Sequence, residues 1–199
     1  MALTKQLIVA EAITLLDEGG LDAVTLRKLA QRLGVRAPTL YWHIRNKAEL
    51  INELAEAILK DLTELSPPAE DEPWRDWLTI VAQRMREAML AHPDGARVVS
   101  AAHLSPTLAA VSELAMSTLV RRGLHLRQAR LTVLAIQRFI IGHVLEEQSP
   151  PPGREVLHDF DAESFAAQHP TITAGIADYF QDGRTVDDLF HDSLEVILQ

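Results

Sequence analysis

Residues 25–47, TLRKLAQRLGVRAPTLYWHIRNK, hold six basic side chains (Arg27, Lys28, Arg32, Arg36, Arg45 and Lys47) and no acidic one. The whole chain of 199 residues sets 19 Lys and Arg against 28 Asp and Glu, a net charge of −9. A basic run inside an acidic chain is a local arrangement, not an effect of composition. The same stretch reads as two short helices about a tight turn. Thr25 can cap the first, its hydroxyl accepting from a free amide of the first turn. Leu26, Leu29, Ala30 and Leu33 follow at helical spacing and give it one apolar face. Gly34 stops it, because glycine takes the left-handed conformation at little cost. Pro38 suits the first turn of the next helix, where its missing N–H is not needed.

This is the layout of a helix-turn-helix, whose second helix enters the DNA major groove. A solvated basic hairpin would carry the same charge. The ring run Tyr41-Trp42-His43 favours DNA. Successive helix residues lie ~100° apart, so three adjacent rings cannot all turn into a core. At least one ring faces out beside the cations, where its polar edge can meet phosphate.

Outward from this stretch, residues 4–18 read as a first helix with Leu7, Ile8, Ala12, Leu15 and Leu16 inward and Gly19-Gly20 as its stop. Asn46 to Glu49 has the spacing of a capping box, which opens a fourth helix from Lys47 to about Leu62. Lys47 in its first turn, with the amide dipoles, suits one phosphate. Net charge is about +1 up to Lys60 and −10 beyond, which directs nucleic acid to the head. Residues 66–73, SPPAEDEP, read as a loop. Helices are expected at 74–91, 96–103 (ended by Ser105-Pro106), 107–122, 126–148, 165–180 with an interruption near Pro170, and 185–199 capped by Thr185. Residues 149–161 read as a proline-rich loop. The helix at 126–148 is apolar nearly all round, so it should be buried on more than one side. That points to a partner subunit, with the 185–199 helix as a second dimer surface.

The chain has no cysteine, so thiolate chemistry and disulfides are excluded. Residues 1–4 lack the charged region and apolar block of a secretory signal, so none is expected, and no apolar run reaches the ~18 residues a membrane span needs. The expectation is a cytoplasmic protein without a membrane partner. No serine lies in a nucleophile-elbow pattern and no glycine-rich phosphate loop occurs. His158-Asp159 are merely adjacent. No catalytic residue and no cofactor are expected.

The run TLRKLAQRLGVRAPTLYWHIRNKAELI (residues 25–51) resembles the DNA-reading head of the TetR family of bacterial repressors. PTLYWHIRNK resembles its tetracycline-repressor branch in particular. DGARV at 94–98, RRGL near Gly123 and GHVLEEQ at 142–148 extend the resemblance through the body. It implies an all-α chain with a three-helix head at 1–46, a connecting helix at 47–65 and a helical regulatory and dimerisation body at 66–199. It implies that Arg27, Arg36, Ala37, Pro38, Thr39, Tyr41, Trp42, His43 and Lys47 face a double-stranded DNA operator. It also implies a ligand-responsive repressor acting as a homodimer on a palindromic site.

The tetracycline branch holds a magnesium–drug complex, and the resemblance places its glutamate at Glu146. The branch's metal-ligating histidine falls on Val99 and its water-bridging threonine on Ala102. Its drug-contacting histidine, asparagine and glutamine fall on Thr63, Val81 and Ala115, and a further pocket histidine on Arg138. Valine in place of imidazole leaves a chelated cation uncompensated, so no metal is expected. The trio His143, Glu146 and Glu147 has metal-ligand spacing but reads more simply as a hydrogen-bonded helical turn. With Trp77 and Met85 from one helix and Phe139 from another, these positions outline a mainly apolar cavity for a small-molecule inducer. Two rival readings remain: a helix-turn-helix regulator controlled by a protein partner, and an enzyme on a helical scaffold.

Overall fold

The computed structural model describes residues 3–150 and 160–199; the expected loop at 151–159 and the His158-Asp159 pair lie outside them. Its described elements are helices, 11 in number. The chain divides after Gln148 into two compact units.

In the first unit, α1 (Lys5–Ala23) is capped by Thr4, whose hydroxyl accepts from the Leu7 N–H. It buries Ile8, Ala12, Leu15 and Leu16. The expected stop at Gly19-Gly20 is a break: both glycines leave helical geometry, and one last turn follows to Ala23. α2 (Leu26–Arg32) starts at Thr25, which caps through the Lys28 N–H at 3.2 Å. It ends in a Schellman turn. Gly34 sits at φ +65°, its N–H donates to Gln31, and Val35 N–H reaches back to the Ala30 carbonyl at 3.0 Å. These bonds satisfy carbonyls that the helix end would leave bare.

The element after the turn is shorter than expected. α3 (Ala37–Leu40) is a single helical turn, and Tyr41-Trp42-His43 lie in a following turn. Its length is set by two fully buried anchors, Leu40 and Ile44. Both His43 and Ile44 N–H donate to the Leu40 carbonyl, which closes the chain over the core and pushes the rings out. α4 (Lys47–Ile58) has Asn46 as its cap. The Glu49 carboxylate reaches one residue beyond the capping-box expectation and accepts from the Arg45 N–H at 2.8 Å. A 3-10 turn, Lys60–Glu64, extends it.

α4 packs on α1 to one side and on α6 (Gly95–Ala101) to the other. It therefore belongs to the head and to the body at once. α5 (Trp74–Leu90), α7 (Pro106–Arg121) and α8 (Leu126–Glu147) complete the body. Ser105-Pro106, expected to end a helix, starts one: the Ser105 hydroxyl caps α7 by accepting from Leu108 N–H, and Pro106 fills the first turn. α8 buries Ala129, Val133, Ile136, Ile140 and Val144. Leu131, Ala135, Arg138 and Gly142 on another face are exposed.

The second unit contains α9 (Ala162–Gln168), α10 (Pro170–Phe180) and α11 (Val186–Leu198). The interruption expected at Pro170 is the boundary between α9 and α10. Thr185 and Asp188 form a reciprocal capping box at α11. Phe190, Leu194 and Leu198 are its buried positions, whereas Ile172, Ile176 and Phe180 of α10 are exposed.

Candidate nucleic-acid interface and ligand-binding body

The head presents Arg27, Arg36, Ala37, Pro38, Thr39, Tyr41, Trp42 and Lys47 to solvent, with His43 half-buried. Trp42 is 87% exposed. An indole so far out of the core costs apolar hydration with no return inside the chain, which fits a surface made to be covered. Pro38, Tyr41 and Trp42 together wall a small apolar hollow. Arg36 is the N-cap residue of α3 and makes no capping bond. Lys47 opens α4, whose first amides lie beside it.

One cation of the basic run is diverted. The Arg32 guanidinium donates to both oxygens of Glu18 at 2.9 Å and to Glu11 at 2.8 Å. The Glu18 hydrogen bonds raise the Arg32 pKa, and Arg32 in turn lowers that of Glu18. Arg32 thus braces α2 on α1. Lys5 braces the other side of α1, 2.6 Å from Glu53 of α4.

Head and body are joined by polar contacts that sequence reading did not find. The Asp94 carboxylate accepts from the Leu21 N–H at 2.8 Å. Asp94 itself is held at φ +58°, in the left-handed region rarely taken by non-glycine residues. Burial disfavours its charge, but the Leu21 amide and the Arg97 guanidinium outweigh that and set its pKa below the ordinary value. Arg97 also reaches Asp22 at 3.5 Å, and His92 Nδ1 lies 2.7 Å from Asp17. Farther along α4, Asn52 accepts from the His103 N–H at 3.1 Å. Glu56 accepts from the Thr107 hydroxyl at 2.6 Å, from its N–H, and from the Ser105 hydroxyl. One face of α4 thus grips the segment between α6 and α7.

Of the expected ligand-binding positions, Trp77, Val81 and Met85 of α5, Val99 of α6 and Ala115 of α7 are buried in the body. Ala102 and Phe139 are half-buried. Thr63, Arg138 and Glu146 are exposed; the Thr63 hydroxyl donates to the Lys60 carbonyl. It is Glu147, the neighbour of Glu146, that turns inward. Its carboxylate takes a two-pronged contact from Arg86 of α5, Nε to Oε2 at 2.9 Å. His143 lies 3.8 Å from the same carboxylate and 5.5 Å from the Phe139 ring. Arg86 follows Leu78 and Ala82 at i+8 and i+4, so its place on the buried face was present in the spacing. Among the described residues no three His, Cys, Asp or Glu side chains converge as a metal site, and no single helix is long and apolar enough to cross a membrane.

Comparison with known proteins supplies the lineage. Residues 8–54 match the model of the bacterial regulatory proteins, tetR family, and residues 66–199 that of the tetracyclin repressor-like C-terminal domain. The chain is 40% identical over 142 residues to the tetracycline repressor protein class E of Escherichia coli, covering 71% of this chain and 67% of that protein. A TetR variant from Acinetobacter baumannii AYE, solved in complex with minocycline, superposes with a TM-score of 0.73 at 33% identity, over 98% of this chain and 94% of that one. ActR of Streptomyces coelicolor, solved with (S)-DNPA, gives 0.81 at 29% identity over 100% and 96%. Two family models that together span most of the chain, on a helix-turn-helix head and an all-helical body, establish that this protein belongs to the TetR family of transcriptional regulators.

Proposed function

We propose that the protein is a ligand-responsive repressor that binds a palindromic operator as a homodimer and leaves it when an apolar small molecule occupies the body. In this reading residues 1–46 read DNA, 47–65 connect, and 66–199 sense and dimerise, in the cytoplasm. The observation that carries it is α4. Its first residue belongs to the DNA face, and its Asn52 and Glu56 hold the segment joining Val99 and Ala102 to Ala115. A ligand that favours another arrangement of α6 and α7 moves α4 with it, a shift of population between two head separations. Dimerisation is supported by the exposed face of α8 with Leu131, Ala135 and Gly142. Val144 is fully buried within the chain, so Leu131→Glu is the cleaner probe of assembly: monomers in sedimentation support the surface, and an intact dimer refutes it.

The ligand class follows from the side chains. Val81, Val99, Ala102 and Ala115 offer no hydrogen bond, and each unmet polar group of a ligand costs ~1–3 kcal/mol. A flat, mainly apolar inducer without a required metal is expected. Selection of sites from random DNA, then titration of the complex with tetracycline with and without magnesium, tests both halves. Recovery of the unaltered tetracycline operator, or tight binding that needs magnesium, overturns the corresponding half.

A further inference from the structure

A groove of about 1030 Å³ runs between α1, α4 and α5, away from the residues assigned above to the inducer. Its walls come from Val9, Ala10 and Ile13 of α1, Ala57 of α4, Ala88 of α5 and Ala91 at the C-cap of α5. Val9 and Ile13 are one helical turn apart and only half-buried, while Ile8, Leu16, Leu50 and Leu54 are fully covered. Four alanines keep much of the wall short, beside the longer Val9 and Ile13. The volume matches that of sites that hold drug-sized molecules, which are mostly apolar with a few polar groups.

Most of the polar groups at its edge are already engaged within the chain. Lys5 is neutralised by Glu53 and Glu49 at 2.6 and 3.6 Å. The Glu56 oxygens are taken by Ser105 and Thr107, and His92 is bonded to Asp17. Lys60 and Asp61 bring one charge of each sign to the far end. A charged ligand would give up water along a wall made mainly of Val9, Ile13 and alanine side chains; an uncharged one loses only apolar hydration, which is favourable.

We propose that this groove is a second small-molecule site, for a neutral and mainly apolar ligand wedged between head, connecting helix and body. Its occupant touches α1, α4 and α5 together, so its binding energy depends on their mutual arrangement. The site is distinct from the inducer cavity, and the binding claim stands independently of the repressor reading.

The test uses the full chain and Nile red, a neutral apolar dye, followed by its emission. Wild type should bind it saturably. A10W places an indole at an exposed position of α1, and A88W does so on the half-buried wall of α5; A110W, at an exposed position of α7, is the control. The expected result is at least tenfold weaker dye binding by A10W and A88W and unchanged binding by A110W, with unchanged circular dichroism. A10W decides if A88W does not fold. Non-saturable binding, or wild-type affinity in folded A10W, overturns the proposal. Operator binding by wild type is scored separately: its absence alongside saturable dye binding counts against the repressor reading alone.

Discussion

The two working parts of this chain expose their chemistry in opposite ways. The head turns its functional groups outward: Trp42 stands in solvent and five cations of the basic run face the same water. The body turns its apolar candidate groups inward, with Trp77, Met85 and Val99 in the core, and leaves Thr63, Arg138 and Glu146 exposed. Outward-facing function violates the usual pattern of burial, so residue order alone reveals it. Inward-facing function obeys the pattern and looks like ordinary packing. The same contrast predicts how each part fails. Substitutions at the exposed DNA-facing positions should cost DNA binding and spare stability; substitutions at the buried body positions should do the reverse.

The largest effect is expected at the Arg86–Glu147 pair. Arg86→Ala leaves a carboxylate in the body without its cation, and removing one partner of a buried pair costs about 3–5 kcal/mol. Denaturant unfolding should report that loss, and a matched apolar replacement of both residues should recover most of it. A loss below about 1 kcal/mol would mean that the pair is as solvated as a surface one. Next comes Arg27→Ala, which should cost about 1–3 kcal/mol of operator affinity and relax one base position. Its unfolding curve should overlay that of wild type. Thr25→Ala sharpens the comparison from the other side, because it removes a cap and no DNA contact. About 1 kcal/mol of stability should go, while the operator affinity of the folded protein stays within twofold.

The smallest effect concerns acid. The folded pKa of Asp94 lies below its ordinary value, so its contribution is complete at neutral pH and fades as pH falls through the ordinary carboxylate range toward that lower pKa. Asp94→Asn should therefore narrow its stability gap to wild type as the solution is acidified below about pH 4. A gap that widened on acidification would show that Asp94 stabilises the junction as a neutral acid.

Local chemistry was legible wherever a residue's role depends on its immediate neighbours. Thr25, Gly34, Asn46 and Thr185 all act at the helix ends assigned to them, since capping is a matter of three or four residues. The short α3 was not legible, because its length is set by the burial of Leu40 and Ile44, which depends on the rest of the core. Ser105-Pro106 illustrates a local ambiguity: the same dipeptide can follow one helix or begin another, and the Glu56 side chain that settles it comes from 49 residues away. Gln148 was equally invisible. Its amide joins the carbonyls of Met89 and His92 to the amide of Ala96, which no sequence neighbour announces. The open groove beside α1 escaped for a simpler reason, since alanines on three separate helices give no pattern within any one of them.

The diversion of Arg32 to Glu11 and Glu18 has a thermodynamic consequence for binding. A cation already neutralised by carboxylates displaces no condensed counterions from a phosphate backbone. Each head therefore brings Arg27, Lys28, Arg36, Arg45 and Lys47 to the duplex, and Arg32 stays out of the ion exchange. For two heads on one operator the slope of log K against log salt is then bounded at about −9, with ~0.9 per neutralised phosphate. Cutting the bridge by Glu11→Gln with Glu18→Gln frees Arg32 and should steepen that slope, so a braced fold and a lower sensitivity to ionic strength are two results of the same three side chains.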